Sequence, residues 1–305
     1  MSEATPLIEA FQKDETLLED IRRSDVYDEN FRLWWLGQSG FLLQYKQRHI
    51  LFDPYLSDSL SVKYADTDKP HTRISELVIQ PEELGFVEII FSSHNHTDHL
   101  DRDTILPILT AKDITHFLLP EANRLFASEK LSLNPSFAVG LDEGDVVRID
   151  PFEIHAVAAA HNTVERDEEG RCRFLGYIVR FGPWCIYHSG DTKLYEGMEA
   201  KLRKYKIDVA LLPINGDKAE RRVAGNLSAG EAAALGRSIS AGVVIPHHFH
   251  LFSFNTEDPA MFESACEAEG TPHRVLRLGE KFSSAEWHAF ADRVAQPLPL
   301  EEDSA

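Results

Sequence analysis

The segment Phe91-Ser-Ser-His94-Asn-His96-Thr-Asp98-His99-Leu100 sets three imidazoles and a carboxylate within six positions. Neutral imidazole nitrogens and a carboxylate oxygen suit zinc, and also manganese or iron. The preceding run Val87-Glu-Ile-Ile-Phe91 reads as a buried β-strand, which would deliver the cluster to the carboxyl end of a sheet. His94 and His96 alternate as residues at a strand end do and can face one ion, while the next turn can carry Asp98 and His99 to a second. The bland alternative is a solvated loop that is His-rich by chance, and the sheet-edge placement speaks against it.

A two-metal site needs about three protein ligands per ion and a group between them, so these four residues are insufficient alone. Three later features supply the remainder. His161 ends Ala158-Ala-Ala-His161, where the neighbours are too small to cover the ring; Asp191 sits in Tyr187-His-Ser-Gly-Asp-Thr192, a strand followed by a tight turn. Pro246-His247-His248-Phe249-His250 follows the β-run Gly242-Val-Val-Ile245, and its three histidines compete for the last ligand position.

Other polar residues have more than one reading. Asp53, at a strand end before Pro54, either holds a ligand histidine in its tautomer or is a turn residue. His188 packs beside Asp191 or touches substrate, and His155 is structural. Lys69, His71, Arg73, Arg221 and Arg222 are candidates to hold a phosphate or carboxylate, or are ordinary solvated charges. Arg73 and His250 join Asp53 and His188 as second-shell or substrate residues. Trp34 and Trp35 read as sheet core.

These groups need a scaffold that brings several loops to one edge. Leu7 to Arg23 has helix-like apolar spacing, followed by β-type runs at Arg32–Leu36, Gly40–Gln44 and His49–Phe52. Tyr55 to Pro81 is polar and without period, a long loop of the kind that often forms a lid. From Val87 onward β-type and helical runs alternate, which predicts an α/β arrangement. A helix is expected near Glu121–Lys130, and strands at Asp145–Ile149, Phe152–Val157, Gly176–Arg180, Trp184–Tyr187, Ile207–Leu212 and Gly242–Ile245. Ser228-Ala-Gly-Glu231 has the spacing of a capping box opening a helix toward Ser238. The last helix runs from Glu257 to Glu269, with Gly270 placed to end it. The expected organisation is a helical extension over 1–28, one domain over 29–290 and a disordered acidic tail over 291–305.

Composition narrows the function. At 305 residues and 43% hydrophobic content the chain can bury a full core. No stretch approaches the ~20 apolar residues of a membrane span, and the N-terminus lacks a secretory pattern, so the expected location is the cytoplasm. Three cysteines without a C-x-x-C pair argue against a disulfide framework or a thiolate zinc site. A formal charge of −19 disfavours nucleic acid as a partner.

Taken in order, His-x-His-x-Asp-His, then His161, then Asp191 in Gly-Asp-Thr, then His248, the chain resembles the metallo-β-lactamase-fold hydrolase superfamily. Trp34-Trp-Leu-Gly-Gln-Ser-Gly40, Asp53-Pro54, Ser93 to Asp101, Gly144-Asp-Val-Val147, Tyr187-His-Ser-Gly-Asp191 and Val244 to His248 are similar to the L-ascorbate-6-phosphate lactonase group within it. The likeness covers roughly Phe31 to Ser283. It implies a four-layer αβ/βα sandwich, with two facing mixed sheets flanked by helices. It also implies one ion on His94, His96 and His161, a second on Asp98, His99 and His248, and Asp191 between them. His248 is the histidine that the family pattern selects, two residues after the proline. One departure stands out: the lactonase has an acidic residue where this chain has His161.

The activity implied is hydrolysis of a small anionic ester, a lactone or sugar-phosphate lactone, by hydroxide bridging two divalent ions, zinc first and manganese second. Asp98 and Asp191 are the catalytic carboxylates, Asp98 orienting the nucleophile or relaying a proton. No G-x-S-x-G motif offers a serine nucleophile. The alternatives are a phosphodiesterase of the N-acyl phosphatidylethanolamine phospholipase D type, an iron-dependent redox enzyme, or a non-enzymatic metal-binding protein. Members of the resembled group often assemble, which leaves a homo-oligomer open.

Overall fold

The computed structural model describes residues 6–24, 26–111 and 116–287. The first sheet contains β1 (Phe31–Gly37), β2 (Gly40–Tyr45), β3 (Arg48–Phe52), β4 (Ile89–Phe91), β5 (His116–Pro120), β6 (Val139–Leu141) and, from the C-terminal end, β13 (Lys281–Ser283). The second contains β7 (Val146–Ile149), β8 (Phe152–Ala158), β9 (Leu175–Phe181), β10 (Trp184–His188), β11 (Val209–Pro213) and β12 (Val243–His247). Helices α1 (Asp14–Ser24), α2 (Ser59–Lys63), α3 (Arg102–Thr110), α4 (Arg124–Leu131), α5 (Met198–Leu202), α6 (Ala229–Ser238) and α7 (Pro259–Glu269) complete the fold.

The strand orders are β13-β1-β2-β3-β4-β5-β6 and β12-β11-β10-β9-β8-β7. In the first sheet pairing is antiparallel up to β3 and parallel beyond it; in the second it is parallel from β12 to β10 and antiparallel beyond. Both sheets are therefore mixed, as the resemblance implies. They pack face to face through Phe31 on Trp184, Tyr45 on Phe181 and Phe91 on Tyr177, with ring centroids 5.1, 4.8 and 4.7 Å apart. On the outer side of the second sheet α6 lies against β11 and β12, and α7 packs on α6. Central strands buried on both faces explain why β2 and β11 read as near-continuous apolar runs rather than alternating ones.

Three expectations shift. The N-terminal helix starts at Asp14, seven residues late, because Ile8 instead makes a parallel bridge to Ser75 and Leu7 and Phe11 stay exposed. Tyr55–Pro81 contains α2 and buries Val78 and Ile79, so it is an ordered cover rather than a featureless loop. β4 ends at Phe91, so His94 and His96 stand in a turn beyond the strand rather than at its end. The capping box at Ser228/Glu231 and the left-handed cap at Gly270 form as expected. The proposed acidic tail lies outside the described residues. Among the described residues no helix is long and apolar enough to cross a membrane.

Helix α1 is stapled to this scaffold by Asp20, which accepts from Lys281 Nζ at 2.6 Å, Trp34 Nε1 at 2.8 Å and Gln12 Nε2 at 2.9 Å. Partial burial opposes the charge, yet these donors, Lys281 foremost, hold the Asp20 pKa below its usual 3.8. A lowered folded-state pKa contributes stability that is complete above 3.8 and fades as pH falls through the lower value. Asp20→Asn should cost about 1–3 kcal/mol at neutral pH. Urea denaturation should show this difference shrinking in strong acid; a constant difference down to pH 2 would refute the assignment.

Candidate metal centre

The turn after β4 is anchored from behind. Asp53, fully buried at the end of β3, accepts from Ser93 N at 2.7 Å and Ser93 Oγ at 2.6 Å, and its Oδ2 takes the Nδ1 proton of His99 at 2.6 Å. That contact fixes the tautomer and aims the His99 Nε2 lone pair at the cluster. The carbonyl of Gly225 does the same for His161, accepting from its Nδ1 at 2.9 Å. Opposite them, the turn carrying Asp191 approaches so closely that a Cβ on Gly190, whose φ is +59°, would sit 2.5 Å from Ser93 Cβ. Only glycine fits there.

The structure brings all seven expected ligands together. Donor atoms of His94, His96 and His161 lie within 4.8 Å of one another, as do those of Asp98, His99 and His248, and those of His94, His99 and Asp191. Asp191 faces both sides: Oδ2 is 3.2 Å from His248 Nε2 and 3.5 Å from His161 Nε2, while Oδ1 is 3.4 Å from His99 Nε2. His247 and His250 are not in these groups. His247 lies below, its Nδ1 3.0 Å from Ser39 Oγ, and His250 packs edge-on against Phe249.

Electrostatics and unsatisfied atoms fit a pair of cations. Buried His94 Nε2, His99 Nε2 and Asp191 Oδ1 have no hydrogen-bond partner. Burial opposes charge on His99, but Asp191, Asp98 and Asp53 outweigh it and hold the His99 pKa well above its usual value, so a cation at that ring would take the place of a proton. Burial, reinforced by neighbouring imidazoles, pushes His94 well down and His96 to about 4, so both rings are neutral and able to ligate. Burial disfavours charge on Asp191 as well, but His248, His99 and His161 outweigh it and keep the carboxylate ionised.

Gln38, in the turn between β1 and β2, is an unanticipated neighbour. Its Nε2 donates to Asp98 Oδ2 at 2.9 Å and its carbonyl accepts from His248 N at 3.0 Å. Its sequence signal was the Gly-Gln-Ser-Gly turn, which by itself specifies no contact. His188 is not at the cleft. It donates from Nε2 to Ser39 O at 2.9 Å, accepts from Gly190 N at 3.1 Å, and sits between Phe52 and His247 in a parallel stack of rings 5.2 and 5.1 Å apart. Burial keeps it neutral. Arg73 is likewise engaged elsewhere, by Asp58 and the Ser57 carbonyl.

A cleft of about 1040 Å³ opens above the cluster, lined by His96, Asp98, His161, Asp191 and His248 from the floor and by Lys63, Arg102 and Lys130 among the polar walls. The profile of the beta-lactamase superfamily domain matches residues 48–249. A UPF0173 metal-dependent hydrolase of Opitutus terrae is 30% identical over 254 residues, 82% of this chain and 98% of the relative. The chain belongs to the UPF0173 metal-dependent hydrolase family. Among solved structures, Igni18, a metallo hydrolase from Ignicoccus hospitalis, superposes with a TM-score of 0.61 at 22% identity over 83% of this chain and 98% of that one. The metallo-beta-lactamase fold protein YhfI from Bacillus subtilis gives 0.60 at 15% identity over 84% and 100%. Membership of UPF0173 replaces the closer likeness to the ascorbate-6-phosphate lactonases, which none of these relatives supports.

Proposed function

We propose that this UPF0173 protein is a dinuclear hydrolase of small anionic esters, with lactones the first class to test and zinc or manganese as the ions. The observation that carries the reading is Asp191, whose carboxylate lies 3.5 Å from His161 Nε2 of one ligand group and 3.2 and 3.4 Å from His248 Nε2 and His99 Nε2 of the other. Divalent ions in such a site supply Lewis acidity and lower the pKa of water to about 7, giving a nucleophile without a serine or cysteine. His94, His96 and His161 would hold one ion and Asp98, His99 and His248 the other, with Asp191 shared. Asp98 keeps one oxygen on the Gln38 amide, so its carboxylate is oriented before substrate arrives. Lys63, Arg102 and Lys130 on the cleft wall, standing beside Asp101, Asp103 and Glu129, are the cations available to an anionic ester, and Lys130 is held by Thr97 Oγ1 at 3.1 Å.

The test is turnover by zinc- or manganese-loaded protein of glucono- and hexanolactones beside bis(p-nitrophenyl) phosphate. Lactone hydrolysis abolished by chelation and restored by either metal is the expected result. Phosphodiester turnover alone would move the substrate class, and redox activity with bound iron would reject hydrolysis.

A further inference from the structure

Among the described residues His71 is the one cleft-lining imidazole outside the three ligand groups. It belongs to the cover that crosses the site between β3 and β4. That cover is held down at several points: Ser57 and Ser59 hydroxyls donate to Asp101 at 2.7 and 2.9 Å, Ser253 N donates to Thr72 O at 3.0 Å, and Lys69 Nζ donates to Arg222 O at 2.8 Å. Within it the His71 ring is clamped by Tyr64, stacked at 4.2 Å, and by Phe252 and Phe254 edge-on at 5.3 and 4.6 Å.

The two ring nitrogens have different fates. Nδ1 lies 3.1 Å from the Lys69 carbonyl, an acceptor, so Nδ1 carries the proton. Nε2 makes no hydrogen bond among the described residues, and the residue lines the cleft. Burial lowers the pKa, against smaller opposing effects from the Lys69 carbonyl and Asp98. The ring is therefore neutral near pH 7, with an Nε2 lone pair. Packing against Tyr64, Phe252 and Phe254 requires only a ring, which a phenylalanine would supply. The second nitrogen is the part that packing leaves unused.

We infer that His71 is a substrate-contacting specificity residue, whose Nε2 lone pair accepts a hydrogen bond from a hydroxyl group carried by the anionic ester. The substrate class is thereby narrowed to hydroxylated acids and their lactones, an inference that rests on the hydrolase reading above. A site built to pair a substrate hydroxyl discriminates against the analogue lacking it, because its own acceptor is then left unpaired.

The experiment is calorimetric titration of the metal-loaded protein with D-gluconate and with hexanoate, two six-carbon carboxylates that differ in hydroxyls. Wild type should prefer gluconate. His71→Phe, which keeps the ring in its aromatic clamp, should weaken gluconate about tenfold and leave hexanoate within twofold. His71→Gln, which keeps an acceptor, should recover part of the loss. Absence of measurable gluconate binding, no preference in wild type, equal weakening of both ligands, or unchanged gluconate affinity in His71→Phe would each overturn the assignment. Turnover of D-glucono-δ-lactone and δ-hexanolactone is measured in parallel. If neither is hydrolysed while the gluconate preference depends on His71, the lactone reading fails and the contact stands.

Discussion

Asp191→Ala is expected to lower kcat/KM by at least about 10³-fold, because on the proposed dinuclear reading a ligand shared by two ions would be lost, and Lewis-acid stabilisation of several kcal/mol with it, at about 1.36 kcal/mol per decade. The geometry explains why no neighbour can substitute. Asp191 lies 2% exposed among His99, His161 and His248, and a methyl group in its place leaves three imidazoles around a site with no shared anion. Asp98 reaches only the His99 and His248 side, at 3.7 Å from each Nε2. Elemental analysis should therefore show fewer ions per chain alongside the kinetic loss. Asp191→Asn, which keeps the shape and one carbonyl oxygen but loses the charge, should fall between wild type and alanine in metal content. Full metal content and full hydrolysis in Asp191→Ala would sink the dinuclear reading.

The ligands were legible because metal chemistry restricts residue type and because they cluster along the chain: four fall within six positions and the rest follow β-runs. Choosing His248 over His247 and His250 needed more than composition. The structure separates them by backbone conformation, since β12 ends at His247, whose ring points into the stack with His188, and His248 takes φ +62°, which turns its side chain out to Asp191. Both sheets could be read from apolar runs, although β6 and β13, three residues each, are too short to show a pattern. Helix α3 escaped because Pro107 lies inside it and reads as a breaker, yet Ile105, Ile108 and Leu109 still bury one face. Least legible was the cover over the site. Its polar composition reads as a long loop of lid type without regular elements, but its polar groups are satisfied by particular distant partners, such as Asp101 for Ser57 and Ser59. No local pattern encodes those pairings, so composition does not separate Arg73 from His71 as a candidate anion holder, whereas the structure turns Arg73 to Asp58 and leaves His71 at the cleft.

Asp53→Ala should reduce metal affinity or activity about 10- to 100-fold although Asp53 belongs to none of the ligand groups, the effect expected of a carboxylate that orients a ligand histidine. Two losses add up in this variant. His99 loses the acceptor that holds its Nδ1 proton, so a ring that gives up one proton can keep the other on Nε2 and present it where the proposed ion would bind. The buried Ser93 amide loses its acceptor, which costs about 1–3 kcal/mol and loosens the turn bearing His94 and His96. The two effects separate experimentally. Competition with a chromogenic chelator reads the affinity of the ions, and urea denaturation of the metal-free protein reads the loss of the buried Ser93 and His99 contacts without them. Asp53→Asn keeps a single carbonyl acceptor for His99 or Ser93, so it should restore part of one effect and less of the other. If Asp53→Ala lost stability but bound both ions as tightly as wild type, Asp53 would be a loop staple only, and the orientation of His99 would have to come from the Ser93 hydroxyl 3.4 Å away.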